Sequence, residues 1–573
     1  MKRLRYFSLI LALGFMLIVA GLAYIQIVKY DKFRVMSEEN RLKIVPLMAP
    51  RGCIYDRSGE VLVKDTLSFQ VSVIYSRIEN MDSLAEFLSS VLDVPRPETS
   101  KIIKKSRQQP YTPTVVASDI GIEKAIHIEE MSMDQPGLLL EVYAKRKYVS
   151  DSSMSNVLGY LGLINSAEFE RLRHYGYRMD DLVGRDGIEK QYDEYLRGTH
   201  GGKQVEVDHR GRRAMTLGFK EPVSGKDIRL TIDHGLQKFC EELLVDKRGA
   251  IVVLDPNTGA VLAMASAPAY DPNAFIDQAR SGEVSGLLND REYPLLNRAI
   301  AGVYPAGSLF KILIATAALE TGTTNKNTTF ECPGYYRLGR LTFRCWRKDG
   351  HGVQNMQEGI MHSCNVYFFN TGRRLGVDKI AEYAKKFGFG SYTGIDLPGE
   401  KTGTAPSRSW KKKQLNDSWY EGDTVNYSIG QGYLLCSPLQ IARMLAVFAN
   451  GGYLVRPYIV KEVEGIPVNN VEKAELGISQ DTRDTIREGM RLVVNDPTGT
   501  GIKARSKDFT VAGKTGTAQT SRNKTHGWFM GFAPYEEPKV VIVVFDEYGG
   551  KGGYYAAETG GKVFKKAHEI GLL

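Results

Sequence analysis

Residues 509–545 carry three strand-like runs in quick succession: FTVAGKTGT at 509–517, WFMGFA at 528–533 and VVIVVF at 540–545. Alternation in the first and unbroken apolar character in the last mark strands half-buried and fully buried in a sheet. A helical pattern follows near 560–570. Further back, two β-type runs at 249–254 and 260–265 flank Asp255-Pro-Asn-Thr-Gly259, a strong hairpin signal. A long helix-rich stretch, 290–500, separates the two groups. Two strands, a helical insertion, three strands and a final helix predict an α+β fold, with an antiparallel sheet of about five strands flanked by helices.

Chemistry-bearing residues fall at three places on this frame. Pro305-Ala-Gly-Ser308-Leu-Phe-Lys311 precedes the apolar helical run 312–319. Ser308 and Lys311 are three apart and share a helix face. A serine hydroxyl becomes a nucleophile when a base takes its proton, and a partly desolvated lysine can serve. Ser363-Cys364-Asn365 adds a second hydroxyl and an amide at a helix boundary. Lys514-Thr515-Gly516-Thr517 lies in the alternating strand, where Gly516 lets another backbone approach and the ammonium and hydroxyls suit a carboxylate. Alone, S-x-x-K recurs by chance as a serine cap with an exposed lysine. The ordered set S-x-x-K, S-x-N and K-T-G is far more specific. A second KTGT, at 401–404, sits in PGEKTGTAPSRSWKKK with no alternation and no flanking strand pair, so it reads as a loop.

The N-terminus points to a membrane. Lys2, Arg3 and Arg5 precede 23 uncharged residues, Tyr6 to Val28. As a helix these span about 34 Å, against about 30 Å for a bilayer core. The positive-inside rule then puts the tip 1–5 in the cytoplasm and the body outside it. The competing reading is a cleaved signal peptide with Gly21-Leu22-Ala23 as its cleavage site, but the apolar run continues past that point. The stretch 29–50 reads as a polar stalk, 67–225 as mixed short strands and amphipathic helices, with one helix over Gly187–Leu196. Hydrophobic residues make up 43% and charged ones 25% of 573 residues, which excludes a disordered, collagenous or polytopic membrane protein. A net charge of +9 over this length is a mild bias towards anionic partners and forms no nucleic-acid-binding module.

Three of the six cysteines lie between 332 and 364. Cys332, Cys345, His351 and Cys364 form a known structural zinc set, without a C-x-x-C pair. A Cys332–Cys345 disulfide or three free thiols are the alternatives. Cys53, Cys240 and Cys436 are scattered and read as packing residues.

Taken together, RGCIYDRSG at 51–59, GRDGIEKQYDEYLRG at 184–198, DPNTGAVLAMAS at 255–266, YPAGSLFK at 304–311, SIGQG at 428–432, VAGKTGTAQ at 511–519 and GWFMGFAP at 527–534 resemble the class B penicillin-binding proteins. These are monofunctional peptidoglycan D,D-transpeptidases. The stretch SCNVYFFN at 363–370 is most similar to the elongation-type penicillin-binding protein 2, with the septal type second. The resemblance implies an anchor at 6–28, a pedestal (dimerisation-type) domain at 29–225, and a serine β-lactamase-like transpeptidase domain at 226–573. It also implies that Ser308 attacks a D-Ala-D-Ala stem peptide, with Lys311 as base. Ser363 and Asn365 would relay protons and hold the peptide. Lys514, Thr515, Gly516 and Thr517 would form the carboxylate-binding strand. β-Lactams would acylate Ser308, and the partner would be a membrane glycosyltransferase of the shape, elongation, division and sporulation group. Some penicillin-binding protein 2 members hold zinc with carboxylate, His and Cys ligands in the region corresponding to 332–364, and two of those positions are Cys in this chain. No organic cofactor is implied. A D,D-carboxypeptidase or β-lactamase is the nearest alternative, and a non-catalytic β-lactam sensor or cell-wall scaffold the alternative from another class.

Overall fold

The computed structural model describes all residues except 1, 35–41, 109, 112, 133–134, 136, 180, 208–212, 278–279, 470 and 521–523. Met1 of the expected tip, 35–41 of the expected stalk and 208–212 of the Gly- and charge-rich segment lie outside the described residues. The chain forms two units. One comprises Met1–Arg51, Asp65–Arg146 and Arg197–Gly225; the other comprises Gly52–Lys64, Lys147–Leu196 and Lys226–Leu573.

In the first unit, Lys2–Ala23 is α-helical and continues through a π-helical turn, Tyr24–Val28. Leu9, Ile10, Phe15, Met16 and Leu17 on it are all exposed. Apolar side chains bare on every face suit a lipid surround. A separate small core gathers Val71, Val73, Leu84, Leu88, Ile103, Ile120 and Ile128. It forms because the helix Met81–Leu92 buries Leu84, Ala85, Leu88 and Leu92, which recur at helical spacing. Asn80 caps that helix, accepting from the backbone N–H groups of Asp82 and Ser83.

The second unit is built on a five-stranded antiparallel sheet. In chain order its relevant strands are β1 (Gly249–Leu254), β2 (Val261–Ala267), β3 (Tyr335–Leu338), β4 (Leu341–Arg344), β5 (Ala512–Gln519), β6 (Thr525–Ala533) and β7 (Val540–Asp546). The sheet order is β2-β1-β7-β6-β5, while β3 and β4 form a separate hairpin. Every residue of β1 and β7 is buried, as their unbroken apolar runs require of central strands. β5 is left at an edge. Five helices matter here: α1 (Lys311–Glu320), α2 (Asn365–Leu375), α3 (Pro438–Ala449), α4 (Gln480–Asn495) and α5 (Tyr555–Glu569). α3 packs against β1 and β7, α5 against β6 and β7, and α4 against β5.

The five-strand sheet and its helical cover match the expectation, with three differences of detail. The insertion is not purely helical, since it contains the β3–β4 hairpin and further short strands. The last helix starts at Tyr555, five residues earlier than its pattern suggests. The helix expected over Gly187–Leu196 is two pieces, Gly187–Gln191 and Asp193–Leu196. The break falls at Tyr192, whose ψ of 23° departs from helical geometry. Its hydroxyl donates to Asp396 Oδ2 at 3.0 Å.

Asp396 is a junction of this unit. It is buried and accepts from the backbone N–H groups of Ile459 (2.7 Å) and Val460 (2.9 Å) and from Asn469 Nδ2 (3.1 Å). Removing the carboxylate strands two buried backbone donors, each worth about 1–3 kcal/mol when left unpaired. Asp396→Ala is therefore expected to lower unfolding stability by about 3 kcal/mol, and Tyr192→Phe by about 1 kcal/mol. Thermal denaturation followed by circular dichroism checks both; equal, negligible shifts would show that the junction is dispensable.

Candidate active site

Lys311 is the first residue of α1, and it follows directly on the 3₁₀ turn Gly307–Phe310 that carries Ser308. Its side chain is wholly buried, while Ser308 is half-buried. An enclosed ammonium must spend its three donors on acceptors. Here it donates to Ser363 O at 2.8 Å and Asn365 Oδ1 at 2.7 Å, with Ser363 Oγ at 3.4 Å. Burial pushes the amine down to about 8, against an upward pull from Cys364, Cys345 and Cys332. The first two sequence motifs are thus joined through one lysine.

Ser363 lies between the helix Met356–Met361 and α2. Its φ is +53°, a left-handed conformation that costs a non-glycine residue about 1–3 kcal/mol. Cys364 caps α2, its Sγ accepting from Tyr367 N at 3.4 Å. Backbone strain at Ser363 and the cap at Cys364 turn the Ser363 carbonyl and the Asn365 amide towards Lys311.

The third motif lies on β5, the edge strand. It reaches the first motif through close backbone contact. A Cβ on Gly307 would stand 2.8 Å from Thr517 O, and one on Gly430 would stand 2.1 Å from Gly307 O. Both residues have positive φ, 55° and 73°, so glycine is required twice over. Gly307 N donates to Gly430 O at 2.9 Å, and Trp528 Nε1 on β6 donates to Pro305 O at 3.1 Å. The SIGQG segment therefore braces the turn that presents Ser308. Phe310 stacks on Tyr427 with ring centroids 5.2 Å apart, extending the brace.

Lys514 is also fully buried, and Nζ donates to Thr515 O at 3.0 Å. Burial first, and the charge of Lys311 second, hold it well below the usual lysine range. Thr515 Oγ1 donates to Thr500 Oγ1 at 2.8 Å, and Thr517 Oγ1 accepts from Gly552 N at 3.3 Å. Gly516 faces Leu309 and Ala306, where a Cβ would come within 3.1 Å of the Leu309 side chain. Ser308, Lys311, Ser363, Asn365 and Lys514 are therefore gathered at one place. Lys401 is elsewhere: its side chain is exposed on an irregular segment whose backbone N–H donates to Ile300 O at 3.0 Å.

Cys332, Cys345, His351 and Cys364 converge immediately behind Ser363 and Asn365, with their ligand atoms all within 4.8 Å of one another. His351 Nδ1 is 3.5 Å from both Cys332 Sγ and Cys345 Sγ. A tetrahedron with metal–sulfur bonds of about 2.3 Å and metal–nitrogen bonds of about 2.0–2.1 Å has a sulfur–nitrogen edge of about 3.5 Å. The donor set and its spacing fit zinc. All six cysteines are free thiols. Cys345 and Cys364 share a hydrogen bond that holds the Cys345 thiol far below its usual range and pushes the Cys364 thiol up, so without a metal the pair shares one proton.

Some residues of the site carry no sequence signal of their own. Thr500 receives the Thr515 hydroxyl. His362 is fixed by Gln354 Oε1 at 2.6 Å and Thr498 Oγ1 at 3.1 Å, and stacks on His351 with centroids 5.7 Å apart.

An antiparallel sheet with a serine–lysine helix start, a serine–asparagine loop and a lysine-bearing edge strand is the arrangement shared by the penicillin-binding proteins and the serine β-lactamases. The penicillin-binding protein transpeptidase domain model matches residues 249–569, and the penicillin-binding protein dimerisation domain model matches 46–230. Among similar proteins, the peptidoglycan D,D-transpeptidase MrdA of Haemophilus influenzae is 35% identical over 97% of this chain and 90% of its own length. MrdA of Escherichia coli K12 is 34% identical over 95% and 91%. A complex between penicillin-binding protein 2 (PBP2) and MreC from Helicobacter pylori superposes with a TM-score of 0.82 at 30% identity, covering 93% of this chain and all of that one. The chain belongs to the MrdA, or penicillin-binding protein 2, family.

The depressed amine gives the site a pH signature. A base must be neutral to accept a proton, so a lysine held at about 8 is mostly protonated, and idle, at lower pH. The second-order rate of acylation by a fluorescent penicillin is expected to rise about tenfold per pH unit below the inflection and to level off above about 8. A profile flat from pH 6 to pH 9 would remove Lys311 as the titrating base.

Proposed function

We infer that this chain is a peptidoglycan D,D-transpeptidase that cross-links stem peptides through an acyl-enzyme on Ser308 during wall elongation. The observation that carries the reading is the buried Lys311 ammonium, held between Ser363 and Asn365 at the start of the helix that follows Ser308. In the first half-reaction Lys311, in its neutral form, takes the Ser308 hydroxyl proton as Oγ bonds to the carbonyl carbon of the penultimate D-alanine. The backbone N–H groups of Ser308 and Thr517 receive the oxyanion. The proton passes by way of Ser363 to the departing amine, and the terminal D-alanine leaves. In the second half-reaction an amine from a neighbouring stem peptide attacks the ester, gives up a proton to the same relay, and regenerates the Ser308 hydroxyl. Asn365 and the open edge of β5 hold the donor peptide backbone. Lys514, Thr515 and Thr517 take its terminal carboxylate, whose charge offsets the repulsion between Lys514 and Lys311. β-Lactams acylate the same serine by occupying the donor position.

The apolar N-terminal helix fits a single-pass anchor. We read its basic tip as cytoplasmic and the body, with a pedestal at 29–225 and a transpeptidase domain at 226–573, as extracytoplasmic. The partner we propose is a membrane glycosyltransferase of the shape, elongation, division and sporulation group, which would polymerise the strands this protein joins. A structure similar to this chain, at a TM-score of 0.76 and 33% identity, comes from work on the structural coordination of polymerization and crosslinking by a peptidoglycan synthase complex, which supports that pairing.

Ser308→Ala is expected to abolish covalent labelling by fluorescent penicillin while the melting transition stays put. Lys514→Ala should slow labelling by about 2–4 kcal/mol of transition-state stabilisation, the scale of one preorganised electrostatic group. Lys401→Ala should not change it. Labelling that survives in Ser308→Ala, or maps to another serine, would overturn the assignment.

Zinc at Cys332, Cys345, His351 and Cys364 would be structural: four protein ligands leave no open position for chemistry. When bound, the ion supplies a cross-link that fixes Cys364, and with it the residues on either side. One zinc per chain is expected by elemental analysis. His351→Ala should lower zinc content, melting temperature and acylation rate together. Full activity in metal-free protein would eliminate the site.

A further inference from the structure

The hairpin β3–β4 has two unlike faces. Register pairs Tyr335 with Arg344 and Arg337 with Thr342, so these four side chains share one face; Tyr336 and Phe343 share the other. The second face is anchored, with Tyr336 and Phe343 each packed on Phe369 of α2, at centroid distances of 5.8 and 5.7 Å. The first face is exposed along its length. Arg340 at the hairpin turn and Arg347 and Lys348 just beyond β4 are exposed as well. Five cations thus stand against two acids, Glu331 and Asp349, between 331 and 351. None of the five takes part in an ion pair among the described residues. Two exposed aromatics border them: Tyr335, lying 5.3 Å under the Arg337 guanidinium, and Trp346, whose Nε1 donates to His362 O at 3.0 Å.

This platform starts at the catalytic groups. Asn365 Nδ2 donates to Arg344 O at 3.3 Å, while the Oδ1 of the same amide receives Lys311 Nζ. A peptide lying along the outer hairpin face would therefore end beside Asn365, which holds Lys311. Guanidinium groups without ion pairs, carried on one hairpin and bordered by aromatic rings, suit carboxylates on an extended peptide. The donor already has its carboxylate strand in β5.

We propose that the β3–β4 hairpin is the docking surface for the second substrate, an acidic acceptor peptide, with Arg337, Arg340 and Arg344 reading its carboxylates. The proposal rests on the transpeptidase reading and concerns only the acceptor half of the reaction. No group is transferred at the hairpin; it raises the local concentration and fixes the direction of the attacking amine.

The test uses full-length protein in detergent, a thioester donor ending in D-alanine, and two synthetic acceptors. One acceptor carries a free amine and two carboxylates; the other is its neutral diamide. The parent protein should favour the acidic acceptor. The variant R337Q/R340Q/R344Q should lose about tenfold in kcat/KM for the acidic acceptor and no more than about twofold for the diamide. The charge-preserving R337K/R340K/R344K should discriminate better than the glutamine variant and less well than the parent, since lysine keeps the charge but not the forked geometry. Raised salt should erode discrimination in the parent and not in the glutamine variant. Equal losses with both acceptors, or undiminished discrimination in the glutamine variant, would overturn the proposal. So would unchanged discrimination accompanied by lost binding to vesicles containing an anionic phospholipid, which would assign the patch to the membrane surface. Penicillin labelling of Ser308, measured in parallel on the parent, separates the two readings. If labelling is absent the transpeptidase reading fails, and if it is normal while acceptor discrimination is unaffected only the hairpin proposal fails.

Discussion

The constraint on which the second unit turns is the burial of the Lys311 ammonium. Removing that group from water is costly, and among the described residues no carboxylate pairs with it. What holds it is a pair of neutral acceptors, the Ser363 carbonyl and the Asn365 amide, at 2.8 and 2.7 Å. Neutral acceptors satisfy the donors without fixing the charge, so the amine sits near its switching point instead of being locked as an ion. A carboxylate in their place would raise the pKa and end any use of Lys311 as a base. The tolerance of a left-handed Ser363 follows from the same need, because the strained backbone aims the carbonyl. The cysteine–histidine cluster lies behind that loop and supports it.

A second feature is that the turn carrying Ser308 is held largely by main chain. Ser308 must stay accessible while its neighbours are packed, so the backbone carries the support. Gly307 and Gly430 let three strands of main chain approach one another, and Trp528 adds a hydrogen bond from the sheet. The first and third motifs are thereby placed in contact without any covalent or ionic link between them. Close main-chain packing of this kind fixes position to a fraction of an ångström, the precision an acyl transfer demands.

Much of this was legible in the sequence, for identifiable reasons. Ser308 and Lys311 were legible only with the motifs at 363–365 and 514–516 behind them, because a three-residue Ser–Lys spacing alone also reads as a capped helix with an exposed lysine. Lys514 was separable from Lys401 because only one KTGT lies in an alternating run followed by two apolar ones. The central strands were readable because burial on both faces leaves an unbroken apolar signature. The β3–β4 hairpin was not. Each of its strands has four residues, of which one, Tyr336 or Phe343, packs on Phe369, and that is too short a pattern to separate from a Gly- and Arg-rich loop. The split at Tyr192 was invisible because its cause, Asp396, lies 204 residues away. Thr500 was missed because its role is defined wholly by the partner hydroxyl on β5.

The hairpin links these levels. Its inner face is held by Phe369, and both of its flanks run into the cysteine–histidine cluster at Cys332 and Cys345, so it is pinned on one side and at its open end, while the turn at Gly339 and Arg340 is exposed. Such pinning is more than a passive surface loop needs, since exposed arginines in solvent gain little from rigidity. It is what a recognition element needs, because preorganised guanidinium groups lose less entropy when they bind. The cluster that steadies Ser363 and Asn365 on one side therefore steadies the basic platform on the other. A metal held by the four residues would cross-link the loop carrying Ser363 and Asn365 to the base of the hairpin. The four residues between 332 and 364 thus border that loop on one side and the base of the hairpin on the other.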